Sequence, residues 1–311
     1  MQVTVPDVAI VGLLASLNPS IKALSKPEAG WPVVILAHGI TSKKEDILSL
    51  SGALSIAGFA TVAIDQPLHG SRGFVLEDGS IINASGGFGG ATTDYFNLAS
   101  LLTARDNNRQ AIADILGLRL GLNALVESSG VVDIDPSSVY LAGQSLGSII
   151  GSSAVSMANT SLATVNPALA ELDAMYAFKA VGLNVPGGGI AGFLLESVSF
   201  GDLVKGSLFV ASSAEFQQFL SDYVQSNQLP LALAIAPAYA LFEQALTAKQ
   251  LAQENEVFKQ FAFAAQTLLE PGDPNTYAQA LAVNGIVRFT SGEHSSLINP
   301  SLSLATFFAS T

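Results

Sequence analysis

The junction at Gly143-Gln144-Ser145-Leu146-Gly147 restricts the fold more than any other stretch of this chain. An apolar run containing Val139, Tyr140 and Leu141 breaks into Gly-x-Ser-x-Gly, then continues through Ser148, Ile149, Ile150 and Gly151 as a small-residue helix. A serine on such a turn occupies a strained apex, and glycines two before and two after it let neighbouring backbone pass where a Cβ would clash. The helix that follows points its free N–H groups and positive dipole end at the turn. Two glycines that merely punctuate a strand-to-helix connection are the competing reading. A strand before and a helix after favour the strained elbow, with Ser145 as nucleophile and the Leu146 N–H as the first donor to a developing oxyanion.

An elbow needs a buried sheet beneath it, and composition permits one. The chain has 311 residues, 49% hydrophobic and only 12% charged, which suits one large α/β domain with a lid. A formal charge of −12 argues against nucleic acid, whose phosphates demand a Lys/Arg surface. Mean hydropathy of +0.45 suggests that some of the apolar surface faces a greasy ligand, yet no apolar run reaches the ~18 residues of a membrane helix. The chain contains no cysteine, so disulfide and thiol chemistry are excluded and the redox compartment is left open. The first residues lack the basic region of a signal peptide.

Residues 2–8 alternate like an edge strand, and 13–30 read as a polar connection. Residues 33–37 form a continuous apolar run of the kind found in buried parallel strands, ending in His38-Gly39-Ile40-Thr41. A His-Gly turn at this place, ahead of the elbow, is where the second oxyanion donor is expected; the Ile40 N–H is assigned to it, with Thr41 its neighbour. His38 is read as shaping the loop rather than carrying protons. A helix over 45–57 and a strand over 59–64 follow, and then Asp65 and His69, which pin their loop by hydrogen bonds. Residues 75–90 read as a surface loop, and Thr92-Thr93-Asp94 as the cap of one long helix to about Leu125, with a solvated polar face at 105–110. Residues 180–185 make another parallel strand, and Gly187-Gly188-Gly189 supply backbone freedom beside the site. The stretch 193–263 is largely helical, interrupted at Pro230 and Pro237. The last strand spans 285–290.

His294 is the expected general base, because it alone of the three histidines follows the serine. The acid is less determined. A separate acid-bearing strand finds no room before the final one. Asp273, on a turn ahead of a helix leading to that strand, has the best local chemistry, and an N-cap for the helix after Pro274 is its competing role.

Together, 31–35 with His38-Gly39-Ile40-Thr41, Asp65-Gln66-Pro67-Leu68-His69-Gly70, 97–110, the Ser145 pentapeptide, 184–189 and Glu293-His294-Ser295-Ser296-Leu297 resemble bacterial extracellular lipases of the Pla-1/cef type, which include surface lysophospholipases. The resemblance covers nearly the whole chain. It implies an α/β-hydrolase fold, a mainly parallel sheet with helices on both faces and an inserted helical cap. The core would take 1–190 and 280–311 and the cap 191–279. It also implies a secreted or cell-surface enzyme acting on lipid or other acyl esters, with no metal or organic cofactor and with lipid-surface contact through the cap. An acyltransferase using the same nucleophile, and a non-catalytic relative lacking the acid, are the alternatives.

Overall fold

The computed structural model describes residues 1–86, 92–125, 133–284 and 287–290. Its elements in chain order begin with β1 (Gln2–Thr4), α1 (Val8–Leu17), β2 (Trp31–Ala37), α2 (Leu48–Ile56), β3 (Ala60–Ala63) and a small hairpin, β4 (Phe74–Val75) with β5 (Ile81–Ile82). Then come α3 (Thr92–Tyr95), α4 (Leu101–Gly121), β6 (Ile134–Gln144), α5 (Leu146–Ala158), α6 (Asp173–Tyr176) and β7 (Val181–Asn184). Helices α7 (Ile190–Glu196), α8 (Gly201–Ser212), α9 (Ala214–Asn227), α10 (Leu231–Ala245), α11 (Ala248–Leu269) and α12 (Pro274–Asn284) lead to β8 (Val287–Thr290).

Val33, Val34, Ile35 and Leu36 leave both faces of β2 without solvent, and such a strand is stable only inside a sheet covered on both sides. The sheet runs β1-β3-β2-β6-β7-β8, parallel except for β1, which pairs antiparallel with β3 at one edge. Register aligns the strand ends: Ala37 pairs with Gly143 and Gln144 with Asn184. The turns leaving β2, β6 and β7 therefore emerge side by side. From β2 the chain steps outward to β3, then crosses to the other side of β2 to form β6. This reversal between β2 and β6 is the switch point at which open α/β sheets hold their ligands.

One face of the sheet packs Ile35, Val62 and Leu141 against Ile112 and Ile115 of α4 and Ile150 and Ala154 of α5. The other packs Val34, Leu36 and Tyr140 against Leu54 of α2, with Ile47 and Phe59. Helix α12 lies on α5, where the Ser156 hydroxyl donates to the Tyr277 carbonyl at 3.3 Å. Helices α8 to α11 gather around Phe209, Phe216, Tyr239, Phe242 and Phe258, whose rings meet mostly edge to face.

Several local expectations give way. The start of the 13–30 connection, through Leu17, belongs to α1, which Asp7 caps by accepting from the Ala9 and Ile10 N–H groups. The long helix expected from Thr92 is two, because Asn97 and Ser100 form a turn of their own. There the Ser100 N–H bonds the Asn97 side chain, and Asn107 holds the Tyr95 carbonyl. Within the polar stretch 105–110, Asn108 is fully buried rather than solvated. Pro237 sits inside α10 without ending it, whereas Pro230 does precede its first turn. Among the described residues no strand stands between β7 and β8. No described helix is long and apolar enough to cross a membrane.

Candidate active site

Ser145 stands at φ 51° and ψ −116°, between the last residue of β6 and the first of α5. A non-glycine residue there costs on the order of 1–3 kcal/mol, so the surroundings must hold it in place. They do so from three sides. The Asn184 carbonyl at the end of β7 accepts the Ser145 N–H at 3.0 Å. The Ser145 carbonyl accepts the Ser148 and Ile149 N–H groups at 2.8 and 3.0 Å, which starts α5 directly on the serine. Close backbone approach completes the clamp: a Cβ at Gly143 would lie 2.5 Å from the Gly147 carbonyl oxygen, and one at Gly147 would fall on the Ala37 carbonyl. The side chain of Ser145 is half-buried, open enough to meet a substrate.

The turn leaving β2 packs against this apex. A Cβ at Gly39 would come within 3.3 Å of the Ser145 Cβ. Among the described residues neither the Ile40 nor the Leu146 N–H donates a hydrogen bond, so the turn and the start of α5 each present an unused donor beside the serine. Thr41 takes a left-handed φ of 66° and bridges to Ser85, whose hydroxyl donates to the Ser42 carbonyl at 2.9 Å and accepts the Gly70 N–H at 2.6 Å. This tie from the 83–86 segment to the β2 turn went unread in the sequence, where Ser85 is one serine in a small-residue loop.

His38 is fully buried, with Nδ1 2.8 Å from the Gly39 carbonyl and Nε2 accepting the Gln66 N–H at 2.9 Å. Burial pushes its pKa down, although the Gly39 bond opposes this. The His69 ring lies 5.1 Å from that of His38, donates from Nδ1 to the Pro67 carbonyl and is pushed down to about 4, chiefly by burial. Burial thus favours the neutral ring at both positions. Asp65 is buried as well, and burial alone would favour its neutral acid. The Lys44 N–H and ammonium, with the Ser71 N–H and hydroxyl, outweigh that effect and hold the carboxyl far below the usual range. Asp65 thus fastens the loop after β3 to the one after β2, as the pinning role read from sequence requires.

Asp273 is fully buried and accepts four hydrogen bonds. Its Oδ1 takes the Gly189 and Asn275 N–H groups at 3.1 and 2.9 Å; its Oδ2 takes the Ile190 N–H at 2.8 Å and the Gln266 amide at 2.9 Å. These are the contacts of a cap shared by α7 and α12, and they fill the lone-pair directions that an imidazole would need. They also hold the turn after β7 near the strand end that supports Ser145. His294 lies outside the described residues. Gln266, which also accepts the Ala191 N–H at 3.1 Å, carries no sequence signal, being a polar residue inside a helical run.

The strand order, the switch point beside β2 and β6, and the strained serine between β6 and α5 have the arrangement of the α/β-hydrolase fold. No protein-family model matches the chain, and no curated protein matches it in sequence. Among solved structures it is similar to a lipase in open form, at 15% identity over 92% of this chain and 91% of that one, with a TM-score of 0.38. It is also similar to a hyperthermophilic esterase from the archaeon Pyrobaculum calidifontis, at 14% identity over 93% and 79% of the two chains and a TM-score of 0.40. A thioesterase domain from the curacin biosynthetic pathway shares 14% identity over 90% and 92%, with a TM-score of 0.35.

Proposed function

We propose that this chain is a serine hydrolase that cleaves carboxylic esters through an acyl-enzyme on Ser145. The observation that carries the reading is the strained serine flanked by the unused Ile40 and Leu146 N–H groups. In this mechanism His294 removes the Ser145 proton, Oγ attacks the ester carbonyl, and the two N–H groups hold the oxyanion. The tetrahedral species collapses as His294 protonates the departing alcohol. Water then gives a proton to His294 and attacks the acyl carbonyl, and His294 returns that proton to Ser145 as the carboxylic acid leaves. No metal or organic cofactor enters.

Substrates are lipid or other esters with an apolar acyl chain. The described residues leave a cavity of about 420 Å³ beyond the end of β7, bordered by Leu183, Pro186, Asn275, Ala278 and Leu281, which suits such a chain. In the same reading 191–279 cap the site and meet lipid surfaces, and the enzyme works outside the cell or on its surface, as a lipase of the Pla-1/cef type would.

Hydrolysis of p-nitrophenyl butyrate and decanoate, with mass-spectrometric mapping of a fluorophosphonate label, tests this. Ser145→Ala should lower turnover by roughly 10⁶-fold and abolish labelling, and His294→Ala should do comparable damage. Activity above about a per cent in Ser145→Ala would overturn the assignment, 10⁶ being the scale on which such triads act as a unit.

A further inference from the structure

We propose that His38 is the positioning residue of the oxyanion hole: by binding the Gly39 carbonyl, its ring turns the Ile40 N–H toward Ser145. The inference rests on the ester-hydrolase reading and adds to it the side chain that sets the second donor.

The argument starts from the two partners of the ring. The Gly39 oxygen can only accept, so the Nδ1 atom 2.8 Å away carries the proton. The Gln66 N–H can only donate, so the Nε2 atom 2.9 Å from that nitrogen offers its lone pair. Both partners are main chain, and together they select the neutral imidazole protonated at Nδ1. Any other protonation state would break one of the bonds. The ring is itself fully buried and meets the His69 ring edge-on, which leaves it no alternative rotamer with solvent to satisfy it.

The consequence for the hole follows from peptide geometry. The described chain has no cis peptide bond, so the Gly39 C=O and the Ile40 N–H belong to one trans, planar unit and point in opposite directions. Fixing the oxygen on His38 fixes the N–H on the far side. Gly39 is where this turn touches the catalytic apex, a Cβ added to it lying a tight 3.3 Å from the Ser145 Cβ. The Ser42 N–H also reaches the Gly39 oxygen, at 3.4 Å, so the ring at 2.8 Å is the closer of the two holds on that peptide. His38 thus acts on catalysis without touching substrate.

Three variants read this out. His38→Leu keeps apolar bulk and loses both bonds. His38→Asn keeps an N–H donor close to the Nδ1 position, and His38→Gln moves it toward Nε2. With p-nitrophenyl butyrate, His38→Leu and His38→Gln should lose about 10²-fold in kcat with KM within a factor of about two, the size expected for one oxyanion donor. His38→Asn should recover most of that loss. Affinity for a trifluoromethyl ketone, which forms the tetrahedral adduct, should fall in parallel with kcat/KM. Equal losses in the Leu and Asn variants, or a loss confined to KM, would overturn the role. Long-range ¹H–¹⁵N spectra of the wild-type histidines cover the case in which no variant folds: His38 should show the Nδ1–H tautomer at pH 7, and an Nε2–H or doubly protonated ring would overturn the proposal alone. No ester cleavage by the wild type would overturn the parent reading and the positioning role with it.

Discussion

The main-chain carbonyl of Asn184 accepts the Ser145 N–H at 3.0 Å and the Ser148 hydroxyl at 2.8 Å, so the end of β7 props up both the strained serine and the first turn of the helix behind it. A serine at φ 51° is held there by the strand next door. Strain that depends on a neighbour should be measurable as stability.

Ser145→Gly should therefore be more stable than Ser145→Ala, although both lack the nucleophile. Glycine accepts positive φ at no steric cost, while alanine keeps the strain. Offset by the greater chain entropy of unfolded glycine, the expected gap is about 1 kcal/mol. Urea denaturation of the two variants checks it; equal midpoints would show that the turn stores no strain.

Asp273→Asn should lower the melting temperature clearly while leaving kcat for butyrate within a few fold. The carboxylate receives two N–H donors on Oδ1 and an N–H and an amide on Oδ2, and one end of an asparagine side chain would bring its own N–H against such donors. A fall in kcat approaching 10⁴-fold with unchanged melting temperature would instead make Asp273 the partner of His294.

Acid should unfold the protein in two stages. His38 and His69 are buried neutral with pKa values pushed down, His69 to about 4, so the unfolded chain binds more protons than the folded one below ~6.5 and stability falls from there towards about 4. The Asp65 carboxylate ionises at lower pH when folded than when unfolded. Its contribution is complete above ~4 and is lost as pH drops further. Asp65→Asn should cost about 3 kcal/mol at pH 7, because Lys44 loses a buried partner, and should flatten the second stage. Denaturation midpoints collected from pH 8 to 3 give the answer; an unchanged slope below pH 4 in the variant would assign that loss to other groups.

The helical segment holds a group of opposite sign. Burial, with Glu243 and Glu215 nearby, raises the Glu254 carboxyl to about 7. The folded chain then binds the extra proton between the ordinary glutamate range and pH 7, and stability is lost as pH rises through that window. Glu254→Gln should raise the melting temperature at pH 8.5 and leave it unchanged at pH 4, as scanning calorimetry at the two pH values will report.

Much of the site was legible because its chemistry is local in sequence. The Gly-x-Ser-x-Gly spacing specifies a turn whose glycines answer steric demands within five residues, and Ser145 adopts the strained conformation that spacing implies. Continuous apolar runs marked β2, β3, β6 and β7, since a strand buried on both faces has no polar alternation to hide it. Capping was readable at Asp273 for the same reason, its bond to the Asn275 N–H spanning two residues.

What the sequence alone determined, then, is the elbow, the buried parallel strands and the types of residue at their ends. Tertiary structure decided which ends meet. The register that sets Ala37 beside Gly143 and Gln144 beside Asn184 brings three distant turns together, and no spacing rule reaches across 100 residues of chain closure. It also decided that Asp273 reaches back to Ile190 and that Asn108 is buried while its neighbours are wet, because both depend on how the helices pack. The role of His38 belongs to both: the residue type stands in a readable His-Gly turn, but its tautomer comes from Gln66, a backbone donor delivered by the neighbouring strand.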